Sequence, residues 1–183
     1  QTGEDRTFDG YPEGLGEGRS FVTNGPLLEF QVEGAGPGRA VEADGSAAWT
    51  LEVHSAVPVD TVAVLVNGEV AWSGTAPEAP GSRRYSGTLE LPAGGWIAAR
   101  VTGPETTRWP AMDSYAFGHT APVWIGAVGS TEPGARQAAA VDLLEALEGA
   151  TARLRAGYGD APIPRLEAHF QAARTVLEGI VGR

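Results

Sequence analysis

The sequence predicts a mainly β fold, an Ig-like antiparallel β-sandwich followed by a C-terminal antiparallel helical hairpin. Three observations carry that expectation. In the first two thirds, short runs of alternating apolar and polar residues are separated by turn formers, from a chain that holds 26 Gly and 13 Pro. The dipeptide Asn67-Gly68 sits between two such runs and supplies the two positive-φ residues of a type I′ turn. After Pro133 the rhythm changes, and apolar residues recur at spacings of three and four, the period of a helix with one buried face.

Taken in order, residues 1–18 are polar and Gly-rich with no apolar period, and read as a linker with at most one helical turn. Residues 19–129 form the sandwich. Leu28, Phe30 and Val32 alternate with Glu29, Gln31 and Glu33, and Trp49, Leu51 and Val53 alternate with Thr50, Glu52 and His54, the pattern of half-buried strands. Val62, Val64 and Val66 share one face before the Asn67-Gly68 turn, and Val70 and Trp72 bring the chain back. Further strands are expected at 85–91, 96–101 and 115–127, the last interrupted at Pro122, which has no N–H for a ladder. Seven or eight short strands suit a sandwich. Residues 130–183 form the hairpin, with helices over 134–156 and 163–181 joined through Gly157-Tyr158-Gly159-Asp160 and packed on the sandwich.

Charge narrows the partners. The 183 residues carry a net charge of −10 with a pI near 4.7, all 13 cationic side chains are Arg, and none cluster into a basic stripe. Nucleic acid and anionic lipid surfaces both require such a stripe, so neither is an expected partner. Cys is absent, which excludes disulfides, thiolate nucleophiles and Cys-bound zinc. No window approaches the ~18 consecutive apolar residues of a membrane span, so no membrane insertion is expected. The numbering starts at Gln1 and the one Met is Met112, from which the chain is read as part of a longer polypeptide, any export signal lying upstream.

Residues able to do chemistry are sparse. Among the three His, His54 shares an outward face with Thr50 and Glu52, and His169 neighbours Phe170 on a helix; both read as solvated. His119, in SYAFGHTAPVWIG, shares parity with Tyr115 and Phe117 ahead of a Pro-broken strand, and is read either as a structural histidine or as a group in a cleft. No paired His at i, i+2 or i, i+4, no G-x-S-x-G elbow and no Walker loop occurs. In RSFVTNGP, Thr23 and Asn24 have side chains suited to bonding local backbone, while Gly25-Pro26 sets a sharp turn. The other reading is that this loop and His119 face a partner. Arg100 alternates in phase with Trp96 and Ala98, and is expected to snorkel at a sheet edge or to form a buried ion pair.

The strings GRSFVTNGPLLEFQVEG, VDTVAVLVNGEV, GGWIAARVTGP and FGHTAPVWIG, together covering the chain from about Gly18 onward, resemble the C-terminal region of CehA/McbA-type metallohydrolases, part of the PHP-like amidohydrolase group. The resemblance implies an upstream barrel that holds divalent metal and hydrolyses an ester, carbamate, amide or phosphate bond, with this chain following it. The barrel's ligands have no counterpart here, so the resemblance implies no catalytic, cofactor or metal-binding residue in this chain. The matching positions include Arg19, Thr23, Asn24, Gly25, Pro26, Trp96, Arg100, His119 and Thr120, and of these Arg19, Thr23, Asn24, Arg100, His119 and Thr120 are the candidate interface or cleft residues.

Three functions follow from these readings. The first is a non-catalytic accessory domain that supports the barrel and contributes one wall of its cleft, which requires an apolar patch on a sheet face or helix. The second is a free-standing Ig-like binding module for carbohydrate or a protein partner, with exposed Trp72, Trp109 or Trp124 as a stacking platform. The third is a small enzyme with His119 and Asp113, or another carboxylate, as a general-base pair.

Overall fold

A computed structural model describes residues 10–42, 45–159 and 163–182. The described residues are mainly β, with two largely antiparallel sheets and a C-terminal pair of helices. Along the chain come α1 (Gly10–Gly16), β1 (Phe21–Thr23), β2 (Leu27–Val32), β3 (Ala40–Val41), β4 (Ser46–Ser55) and β5 (Thr61–Val66). They are followed by β6 (Glu69–Thr75), β7 (Gly81–Glu90), β8 (Gly95–Thr106), β9 (Ser114–Thr120), β10 (Val123–Ile125), α2 (Pro133–Tyr158) and α3 (Pro164–Val181). Residues up to 131 form one compact unit and those from 132 onward a second.

In the first unit β2, β4 and β7 make a three-stranded antiparallel sheet. The other seven strands form the second sheet, centred on the long β8. One side of β8 pairs with β5, which pairs in turn with β6. Along the other side β9 and β10 lie end to end, β9 carrying β1 at its outer edge and β10 carrying β3. The β10 to β3 pairing is parallel, so this sheet departs from the fully antiparallel expectation. The break between β9 and β10 falls at Pro122, whose carbonyl accepts from Gly38 N at 2.8 Å instead.

The inner faces of both sheets supply one apolar core. Phe30, Val32, Trp49, Leu51 and Val53 from the smaller sheet meet Val62, Val64, Ile97, Val101, Val123 and Ile125 from the larger. The expected alternation holds in β2 and β4, where buried and more exposed positions succeed one another. Trp49 anchors the core: its ring lies 4.7 Å from that of Trp72, and Trp72 lies 5.3 Å from Tyr85, with the planes tilted as aromatic quadrupoles prefer. Burial of such side chains is the main favourable term for a sheet pair.

The β5–β6 hairpin turns at Asn67 (φ 51°) and Gly68 (φ 96°), as the dipeptide predicts. Its return strand is bulged. Val64 faces Trp72 but Leu65 faces Val70, which leaves Ala71 as an extra residue. The insertion turns Trp72 inward onto the core while Val70 stands exposed.

The lead-in holds more helix than expected. Residues 1–9 lie outside the described residues, and the remainder forms α1, seven residues long, where at most one turn was expected. Its end is a Schellman cap: Gly18 (φ 71°) donates to Leu15 O at 3.0 Å and Arg19 N to Gly14 O at 2.8 Å.

In the second unit α2 and α3 form the hairpin, slightly longer at α2's end than predicted, and Asp160 of the expected turn lies outside the described residues. Glu132 caps α2, accepting from Gly134 N and Ala135 N, with Pro133 at the first helical position where a missing N–H costs nothing. The two helices meet through half-buried Leu144, Leu147 and Leu154 on α2 and Phe170 and Leu177 on α3. No described helix is long and apolar enough to cross a membrane.

Candidate functional site

Alternation along β8 and β9 sends Ile97, Ala99 and Val101 into the core and puts Trp96, Arg100, Tyr115, Phe117 and His119 on the outer face of the larger sheet. Strand register then assembles a row. His119 of β9 stands opposite Arg100 of β8 on one side and opposite Val22 of β1 on the other. Val22 is 66% exposed and Tyr115 58%, and the Tyr115 and Phe117 rings lie 6.0 Å apart. Toward β5 the same face closes, with Ala63, Leu65 and Ala98 buried. The open half thus mixes Val22, Phe117 and Tyr115 with the polar groups of Arg100, His119, Thr102 and Glu105, the last two standing opposite Phe117 and Tyr115.

Of the six candidate residues, only Arg100 and His119 share that surface. His119 places Nδ1 2.7 Å from the carbonyl of Thr120. A carbonyl only accepts, so Nδ1 carries a proton in that bond. Arg100 corrects the sequence expectation: β8 is the middle strand of its sheet, so the side chain is neither at an edge nor in a buried ion pair but exposed in mid-sheet. Among the described residues it has no ion-pair partner, which leaves its five N–H groups open to a carboxylate.

The other four residues serve the scaffold. Thr120 points inward, 3% exposed, and its hydroxyl accepts from Ala99 N at 3.0 Å. The one hydroxyl proton of Thr23 lies between two carbonyls, Pro26 O at 2.6 Å and Phe117 O at 3.0 Å from Oγ1, and Oγ1 accepts from Gly25 N at 2.9 Å. Asn24 extends β1 by one rung with its side chain: Oδ1 accepts from Phe117 N and Nδ2 donates to Tyr115 O, both at 2.8 Å. Gly25 is held close to Val57 and Pro110, where a Cβ would come within 3.3 Å of Val57 Cγ2. Arg19 forms an ion pair with Glu17 at 3.1 Å beside the α1 cap. Thr23 to Pro26 therefore match the turn reading of RSFVTNGP.

Val22 is the surface residue that the sequence reading passed over. Its only signal is parity, since it lies between Phe21 and Thr23 on a strand three residues long.

Asp113 does not pair with His119, and no other carboxylate forms an ion pair with it among the described residues. Asp113 precedes β9 and His119 is six residues further along an extended strand, a separation of roughly 20 Å at about 3.3 Å per residue. No group of three or more His, Cys, Asp or Glu that could hold a metal ion is present among the described residues. His54 sits 3.4 Å from Glu52 on the outward face expected for it. The tryptophans form no common platform. Trp72 is packed on the core instead of exposed, Trp124 is half-buried opposite Trp96, and Trp109 stands alone at 76% exposure.

A scan of protein-family models finds no match to this chain, and searches of curated proteins and of solved structures find none either.

Proposed function

We propose that this chain is an accessory module, an Ig-like sandwich with a helical hairpin, that seats a second protein domain on the open half of its larger sheet. By the resemblance stated above, that domain is the metal-binding barrel of a hydrolase in the same polypeptide, and the sheet contributes one wall near its cleft. The observation that carries the reading is the row Val22, His119, Arg100 with Tyr115 and Phe117 beside it. Aromatic side chains and Arg are the groups that protein interfaces concentrate at their centres, because they bury large area for few rotors and can still hydrogen-bond. A uniformly polar outer face would speak against the reading, and this face sets Val22, Tyr115 and Phe117 among its polar groups. The free-standing binding module is the weaker reading, since Trp72 is committed to the interior and Trp109 has no aromatic neighbour among the described ring pairs.

Determining the coding sequence upstream of Gln1 tests the first half: a barrel with His-x-His is expected, and its absence rejects the hydrolase. In the full-length protein, Phe117→Asp is expected to lower hydrolytic turnover or detach the module in limited proteolysis. Unchanged turnover and unchanged cleavage would reject the docking face.

A further inference from the structure

The two long sides of the α2–α3 hairpin differ in character. On one side ion pairs lace the helices, Arg155 with Glu167 and Arg174 with Glu148, and Arg174 also pairs with Glu178 along α3. The other is an open apolar groove between Leu143, Ala146 and Leu147 on α2 and Ala172, Ala173 and Val176 on α3. Leu143 is 55% exposed and Val176 64%, and no residue of α3 is fully buried.

Charge singles out one occupant. Residues 1–131 contain seven Arg against sixteen Asp and Glu, whereas residues 132–183 contain six Arg against seven, so nearly all of the net −10 lies outside the hairpin. Two hairpins can approach each other without the repulsion that two sandwiches would meet. The groove's rim is also self-complementary. Asp142 and Arg153 are eleven residues apart, three helical turns, and so occupy one flank of α2 about 16 Å apart. Neither has an ion-pair partner among the described residues.

We infer that the groove is where a second copy of this chain docks, building an antiparallel four-helix bundle from two hairpins. A two-fold axis through the midpoint of Asp142 and Arg153, between Leu147 and Glu148, puts each Asp142 opposite the other copy's Arg153. The same level on α3 is marked by Arg174, which reaches Glu148 at 3.3 Å. About the point between Arg174 and Thr175, Ala173 mirrors Val176 and Ala172 mirrors Leu177, so the axis that satisfies the charges on α2 also matches the apolar groove residues on α3. Near the axis Ala146 meets Gly149 of the other copy, small enough for close helix approach. Isologous pairing of this kind, residue i on j and j on i, is what a closed dimer requires.

Sedimentation equilibrium of the 183-residue chain tests this directly, and a dimer is expected. Leu143→Asp, at an exposed position, is expected to yield monomer with the unchanged helical circular dichroism of the parent chain. Asp142→Arg and Arg153→Asp are each expected to weaken association about tenfold by setting like charges together twice, and the double swap to restore it. A monomeric parent chain, a dimer indifferent to Leu143→Asp, or a double swap no better than the single variants would overturn the inference. None of these outcomes bears on the sheet face, which Phe117→Asp tests alone.

Discussion

Asn24 holds Phe117 twice, once through its backbone N–H to the Phe117 carbonyl at 3.2 Å and once through its side-chain oxygen to the Phe117 amide at 2.8 Å. The side chain stands in for the strand residue that β1 lacks, and so sets the position of Phe117 and Tyr115 on the outer face. Asn24→Ala strips a partner from Phe117 N and Tyr115 O and is expected to cost about 1–3 kcal/mol in urea unfolding. Asn24→Asp keeps the acceptor for Phe117 N but turns an oxygen toward the Tyr115 carbonyl. That variant is expected to regain stability as the carboxylate is protonated in acid; a stability equal to the parent's at neutral pH would refute the clamp.

Gly87 lies directly across from Trp49, and a Cβ there would come to 3.0 Å from the indole. The ring cannot retreat, because Trp72 is packed against it. Gly87→Ala is expected to destabilise by about 1–3 kcal/mol despite the better strand propensity of Ala. A rise in melting temperature would show that the indole has room.

Tyr85 donates to Thr75 O at 2.6 Å, and burial pushes its phenol up from the usual value, with Arg83 pulling the other way. A group with a raised folded value contributes stability below its unfolded value, and loses it as pH rises through the folded one. Tyr85→Phe is expected to cost about 1 kcal/mol at neutral pH and to remove part of the alkaline loss of stability. An alkaline limb identical to the parent's would contradict this.

Glu132 titrates in the opposite sense. Hydrogen bonds from the Ala135 amide first, and the Gly134 amide second, hold its carboxyl below 4.5. With a depressed folded value, the cap contributes above the unfolded value and fades as pH falls through the folded one. Carboxyl NMR titration should place Glu132 below an ordinary Glu, and the protection of the Gly134 and Ala135 amides relative to their intrinsic exchange should fall in acid. Glu132→Gln should flatten that acid dependence.

Much of the β unit could be read from local pattern, because burial on one face writes a period of two into β2 and β4, and Asn67-Gly68 tolerates the left-handed backbone a tight hairpin needs. Other features were closed to that reading. The extra Ala71 reverses the facing of the residues after it, and nothing in the composition of Val70 to Trp72 announces a bulge. Arg100 reads as an edge residue or as one of a buried ion pair because a strand's neighbours are decided by pairing across the chain. Here β8 lies between β5 and β9, so the guanidinium is placed in mid-sheet. The partnership of Val22 with His119 spans almost a hundred positions, and only register brings it about. The α1 helix outruns the single turn expected because its ending rests on Gly18, while its own residues, GYPEGLG, look like a loop.

The rims of the larger sheet have a consequence of their own. It stops at a three-residue β1, a two-residue β3 and a kinked β6, so none of its borders offers a long straight row of free peptide groups to a stray strand. Misassembly by strand addition is discouraged at each of these margins.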